Sequence, residues 1–290
     1  MSALYTLKAP AKINLLLRIT GKRADGYHEL VTLFHPLPAV ADEIQADLAA
    51  APGITLSCQH PDVPVNNGNL GAKAAAGFAE KMGISPSWHF ELKKNIPVSA
   101  GMGGGSSDAG TILRFLAERF PGCPEDELLN LAASLGADIP FFLTPADAAG
   151  RGIGEKLEYI APLPVPPVLA VFPNFPVSAA WAYKHLQKMT PHQQAEEELT
   201  ALTDALRHRE FRRAAELCAN DLEAPLFAKF PLLRGLRREL LEQGALCVHI
   251  SGSGPTLFAL FEDSSTQHNA AATLGRPENL ETGITIMECS

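Results

Sequence analysis

Between residues 97 and 108 the chain reads Pro-Val-Ser-Ala-Gly-Met-Gly-Gly-Gly-Ser-Ser-Asp, with four glycines in five residues. A backbone without Cβ atoms can approach a bulky group closely and adopt dihedrals closed to other residues. Upstream, Trp88-His-Phe90-Glu-Leu92-Lys alternates apolar and polar like a strand. Downstream, Ala109, Ile112, Leu113, Leu116 and Phe120 recur at helical spacing. The order is therefore strand, glycine loop, helix. A helix N-terminus offers free N–H groups and a positive dipole end, which suits a phosphate. Ser106 and Ser107 at the loop exit either cap the helix or reach a phosphate or its Mg²⁺. Ser follows the last glycine where a P-loop needs Lys, and Ser106 stands where a dinucleotide fingerprint begun at Gly101 needs Gly. A flexible capped turn is the plain alternative.

Length and composition limit the rest. The 290 residues suit one large or two ordinary domains, and 46% hydrophobic with 19% charged residues is globular. A net charge of −8 argues against a broad nucleic-acid surface, which needs a cationic footprint. Cys58, Cys123, Cys218, Cys247 and Cys289 are dispersed, without zinc or redox spacing. They read as reduced, buried thiols in a reducing compartment. No signal-length or membrane-length apolar run occurs, so a cytoplasmic protein without membrane partners is expected.

In chain order, Ile13, Leu15, Leu17 and Ile19 mark a strand entered through Pro10-Ala-Lys12, and Lys12 alone reads as an edge charge. A polar turn from Gly21 carries Tyr27 and His28, which either pack locally or serve a site. Strands follow at Val31–Val40 and Ile54–Cys58, then an Ala-rich helix at 70–82 and an amphipathic helix at Glu125–Leu135. Asp138 lies among apolar neighbours, so it either turns the chain before Pro140 or is a paired functional carboxylate. Gly150–Glu155 reads as a flexible turn that could line a site. The Pro-rich run 162–167 reads as a linker, dividing the chain into 1–160 and 161–290. Beyond it, Val168–Phe172 reads as a strand, Ser178–Leu186 and 193–220 as helical, and Leu232–Glu242 as a helix stopped by Gly244. Strands at Val248–Ile250 and Leu257–Phe261 flank a glycine hairpin that is either only a turn or a source of N–H groups for a ligand. A helix at 264–275 and a strand at Gly283–Met287 complete the reading.

Several of these stretches together resemble the GHMP small-molecule kinases. Pro97 to Ser107 is similar to that family's phosphate loop, and Ser251-Gly-Ser-Gly-Pro-Thr256 to its C-terminal glycine motif. Pro10-Ala-Lys12-Ile-Asn14, Thr20 to His28 and Leu135-Gly-Ala-Asp138-Ile-Pro140 resemble the branch whose acceptor is a cytidine-diphosphate sugar alcohol. Val98-Ser99-Ala100 departs from the family's glycine run, and Asp108 stands where Asn is expected. The resemblance implies an α+β, two-domain GHMP kinase fold with a ferredoxin-like C-terminal domain, and phosphoryl transfer from ATP with Mg²⁺. It implies Lys12 and Asp138 as the catalytic pair. Pro97, Val98, Ser99, Ala100, Gly101, Met102, Gly103, Gly104, Gly105, Ser106 and Ser107 would hold the phosphates. Asn69, Leu70 and Lys94 would lie at the adenine, Asn14 near the acceptor, and Tyr27, His28 and Tyr183 at the cytosine. The alternatives are another family acceptor, such as homoserine, or a non-catalytic nucleotide-binding protein of the same fold.

Overall fold

The computed structural model describes residues 4–275 and 283–289. The first half of the chain runs β1 (Leu4–Lys22), β2 (His28–Asp47), β3 (Gly53–Cys58), α1 (Leu70–Met82), β4 (Ser87–Lys93), α2 (Gly104–Arg119), α3 (Glu125–Leu135), α4 (Ile139–Leu143), β5 (Ala148–Arg151) and β6 (Lys156–Tyr159). The second half runs β7 (Val168–Phe172), α5 (Ala179–Lys184), α6 (His192–Arg207), α7 (Phe211–Leu217), β8 (Ala219–Asn220), α8 (Glu223–Lys229), α9 (Pro231–Glu242), β9 (Cys247–Ile250), β10 (Leu257–Leu260), α10 (Ser264–Leu274) and β11 (Thr285–Glu288). These elements form two compact units, each discontinuous in sequence. The first takes residues up to Ala11, Val40–Val98 and Gly103–Pro145; the second takes Lys12–Ala39, Ser99–Met102 and the chain from Ala146 onward. The expected cut at 160/161 does not coincide with this division. The long strands β1 and β2 each give residues to both units, which no linker composition could announce.

In the first unit β3 runs parallel to β4, and β4 runs antiparallel to the end of β2, with Glu43 opposite Lys93. Helices α1 and α2 enclose a core with Phe78, Trp88, Phe90, Ile112 and Leu116. The Ala-rich stretch makes α1 because its small residues tolerate close packing and Gly83, at φ 62°, closes it with a left-handed cap. Gly110 lets α4 approach α2: a Cβ there would lie 2.6 Å from Phe142 Cβ.

In the second unit β5 runs antiparallel to β2, Thr32 opposite Gly150, and pairs with β6. The segment Gly150–Glu155 is thus the end of a hairpin and not simply a flexible turn. The strands of the C-terminal sheet lie in the order β11-β7-β10-β9, all antiparallel, with α9 and α10 packed against it. This is the split β-α-β order of a ferredoxin-like layer. The helical reading of 193–220 breaks at His208–Glu210, where Arg209 adopts φ 58° and the Glu210 amide turns back to the Ala205 carbonyl. No Gly or Pro marks that break. Its short product β8 lies parallel to β1, Leu16 opposite Ala219.

Candidate functional site

The glycine stretch is a shorter loop than its composition suggests. Gly103, at φ 77°, is the N-cap of α2, so Gly104, Gly105, Ser106 and Ser107 form the first helical turn and do not follow a longer loop. The first amides of a helix have no intrahelical acceptor, which leaves this turn as a row of donors. The Ser107 hydroxyl donates to the Pro10 carbonyl at 2.6 Å, tying α2 to β1. A Cβ built on Gly104 would lie 3.1 Å from Ile96 and 3.5 Å from Lys94 Nζ; one on Gly105 would lie 3.8 Å from Leu70 Cδ1. Leu70 and Lys94 are thereby brought to the helix start. Asn69 is held as the cap of α1: its Oδ1 accepts from the Gly71 amide at 2.8 Å, and its Nδ2 donates to the Pro64 carbonyl at 2.9 Å.

Ser99–Met102 belongs to the other unit, where it interlocks with the C-terminal glycine motif. Gly101 has φ 78°, and a Cβ on it would collide with the Ser251 carbonyl oxygen and lie 2.9 Å from Gly254 N. The Ser251 hydroxyl donates to the Gly101 carbonyl at 3.0 Å, and the Thr256 amide to the Ala100 carbonyl at 3.2 Å. The Lys12 amide donates to the Met102 carbonyl at 3.0 Å. These contacts bring Lys12, Ala100–Met102 and residues 251–256 into one neighbourhood. Gly252 completes it: a Cβ there would lie 3.4 Å from Lys12 Nζ and 3.5 Å from Asn14 Oδ1. Asn220 fixes that turn by donating to both the Ile250 and Gly252 carbonyls at 2.7 Å.

Lys12 and Asn14 are each only 3% exposed. Lys12 Nζ donates to Asn14 Oδ1 at 2.6 Å, and Asn14 Nδ2 donates to Thr32 Oγ1 at 2.8 Å. Lys12 Nζ also lies 5.4 Å from the centre of the Phe34 ring. The strand alternation that suggested an edge charge instead buries the ammonium.

In the first unit a second buried lysine has a different setting. Lys94 Nζ is shared between Asp42, in a very short contact, and Asp108 at 2.6 Å. Asp42 Oδ1 also accepts the Asn95 and Ile96 amides. Burial opposes the charge on Lys94, but attraction to Asp108 and Asp42 holds its pKa above the ordinary value. Burial pushes the Asp108 carboxyl up to about 7, opposed by Lys94 and reinforced by the negative charge of Asp42. The expected Asn at this position would carry no such titration.

The aromatic candidates, 155 residues apart, also meet. The His28 and Tyr183 rings are stacked at 5.2 Å with 27° between planes, Tyr183 coming from α5. Burial, then the nearby positive Lys22, lowers the His28 pKa, which favours the neutral imidazole as a hydrogen-bonding edge. Tyr27 is 61% exposed on the turn that the Arg23 amide closes on the Tyr27 carbonyl. Asp138 belongs to the first unit, half-buried at the N-terminus of α4, and its side chain makes no capping bond to that helix.

Sequence reasoning missed Thr32, Asp42, Asn220 and the pairing role of Asp108. Asp42 and Asn220 sit in segments without a motif. Thr32 lies in an apolar run where its hydroxyl gave no signal.

Comparison with known proteins follows the same lines. The model of the GHMP kinases N terminal domain matches residues 69–145, and that of the GHMP kinases C terminal domain matches 199–278. The chain is 40% identical over 271 residues to 4-diphosphocytidyl-2-C-methyl-D-erythritol kinase of Geobacter sulfurreducens, covering 92% of this chain and 93% of that protein. It is 40% identical over 280 residues to the same-named kinase of Chlorobium chlorochromatii, covering 96% and 95%. A crystal structure of 4-(cytidine 5'-diphospho)-2C-methyl-D-erythritol kinase matches with TM-score 0.77 and 35% identity, over 93% of this chain and 95% of the other. A homoserine kinase from Cytophaga hutchinsonii superposes with TM-score 0.77 at 18% identity, over 99% and 94%, a likeness of fold alone.

Proposed function

The chain belongs to the GHMP kinases, and from that premise we propose that it uses ATP to phosphorylate the 2-hydroxyl of 4-diphosphocytidyl-2-C-methyl-D-erythritol, a step of non-mevalonate isoprenoid precursor synthesis. Relatives carrying that name align along almost the whole chain. The observation that carries the choice of acceptor is the His28–Tyr183 stack, an aromatic and hydrogen-bonding pair suited to a nucleobase. A small amino-acid acceptor such as homoserine has no base to engage it.

Phosphoryl transfer needs alignment and neutralised charge more than covalent help. Under this reading the loop Pro97–Ser107 holds the ATP phosphates, with the amides of the first turn of α2 as donors. Leu70 and Asn69 contribute to the adenine side, and Lys94, whose ammonium two carboxylates share, contributes there through its aliphatic stem. Tyr27, His28 and Tyr183 hold the cytosine, and Asn14 lies near the acceptor. Asp138 takes the acceptor proton, and Lys12 stabilises negative charge on the transferring group. Among the described residues no cluster of three His, Cys, Asp or Glu could hold a metal ion. Mg²⁺ would be held largely by phosphate oxygens, with one or two protein ligands. The Ser106 hydroxyl is the ligand proposed on the protein side. The ion would neutralise charge between the phosphates. No helix among the described residues is long and apolar enough to cross a membrane.

The test is ATP turnover with the cytidine-diphosphate acceptor, mevalonate, homoserine and galactose in parallel. Turnover with the first alone is expected, and preference for any other acceptor overturns the substrate assignment. Asp138→Asn should lower kcat by roughly two to four decades while nucleotide still binds. A variant with unchanged turnover removes Asp138 from the chemistry.

A further inference from the structure

The hydrogen bonds around Asn14 have a polarity that is fixed from one end to the other. Thr32 Oγ1 donates to the Leu16 carbonyl at 2.6 Å. A threonine hydroxyl has one proton, so toward Asn14 it can only accept. The Asn14 amino group must therefore face Thr32, at 2.8 Å, and the Asn14 carbonyl must face the other way, toward Lys12 Nζ at 2.6 Å. An ammonium has no lone pair to offer, so this is the one amide orientation that satisfies all three groups.

The surroundings hold the threonine itself. Thr32 is fully buried in β2 opposite Gly150 of β5. A Cβ on Gly150 would lie 2.8 Å from Thr32 Cγ2, so the absence of a side chain there makes room for the threonine methyl and leaves the hydroxyl toward β1. On the far side, Gly252 packs against both Lys12 Nζ and Asn14 Oδ1, and Asn220 holds its carbonyl. A flipped Asn14 amide would have little space in which to relax.

We propose that Thr32 is a positioning residue of the reaction, acting through Asn14 to hold its carbonyl oxygen on the Lys12 ammonium and so to aim that ammonium. The proposal rests on the kinase reading for the role of Lys12, while the orientation of the amide stands on the hydrogen bonds alone.

Thr32→Val keeps the shape and removes the hydroxyl. It should lower kcat roughly ten- to a hundredfold, the scale of a misaligned catalytic group, with KM for ATP within about twofold. Thr32→Ser restores the hydroxyl and should stay within about threefold of the wild type. In an Asn14→Ala background, Thr32→Val should cost less than about twofold more, because the group it acts through is gone. The proposal fails if Thr32→Val retains wild-type kcat, if Thr32→Ser falls as far as the valine variant, or if the valine effect is undiminished beside Asn14→Ala. Wild-type protein without turnover on the cytidine-diphosphate acceptor would instead defeat the substrate reading. The positioning claim is then judged by NMR on wild-type protein. Nuclear Overhauser contact between the Asn14 side-chain amide protons and the Thr32 methyl supports it, and absence of that contact overturns it.

Discussion

Lys94 and Lys12 are both buried, each in its own unit, and the hydrogen bonds that direct them can be compared. Lys94 lies between two carboxylates, Asp42 and Asp108, beside the start of α2. Lys12 donates to a neutral amide, whose orientation Thr32 fixes in turn. Two carboxylates offset the cost of burying an ammonium and bind it into the fold. An amide oxygen accepting at 2.6 Å gives the Lys12 ammonium one fixed direction. The comparison separates an ammonium shared by two carboxylates from one directed by an amide that Thr32 orients in turn.

The largest effect expected from this contrast is on rate. Lys12→Met should lower turnover by about a thousandfold or more while unfolding still occurs as one cooperative transition, as measured by steady-state kinetics beside calorimetry. Equal loss of stability and rate would erase the distinction. Lys94→Met should act in the opposite way. It leaves two buried carboxylates without their counter-charge and should destabilise the protein by about 3–5 kcal/mol, read by chemical denaturation. A Lys94→Met protein of wild-type stability would show that the bridge contributes little.

The two halves of the glycine stretch extend the test. Gly101→Ala places a side chain at φ 78° and against the Ser251 carbonyl, so it should cost at least about 2 kcal/mol and weaken ATP binding. Gly105→Ala meets only ordinary contact with Leu70 inside a helical turn and should leave the melting temperature nearly unchanged.

The smallest effect concerns Asp108. Its carboxyl is raised to about 7, chiefly by burial, so the folded state binds its proton more tightly than the unfolded chain does. The stabilisation from protonation is present below the unfolded value near 4. It is lost as pH rises toward 7. Asp108→Asn lacks this titration. The melting temperature of the Asn variant should therefore gain a few degrees on wild type between pH 5 and pH 8. A constant difference across that range would show that Asp108 does not titrate there.

The strand, glycine loop and helix were legible because alternation, absent Cβ atoms and helical spacing are local properties. So were α1, α9 and the strands around residues 251–256. The N-terminus of α2 was expected too late because glycine lowers helix propensity, while Gly104 packs against Ile96 and Lys94, Gly105 lies beside Leu70, and both belong to the helix. The break at Arg209 carries no Gly or Pro and follows from how α6 and α7 pack.

The chain's own order of residues determined the family, the loop that would receive phosphate, and Tyr27, His28, Lys12 and Asp138 as candidates. Those are decided by residue type and short spacing, which survive in a linear string. Tertiary structure decided that His28 stacks on Tyr183, that Asp42 and Asp108 take up Lys94, and that Thr32 orients Asn14. A hydrogen bond or ring contact depends on distances of a few ångströms between segments tens of residues apart, and only the folded backbone sets those distances.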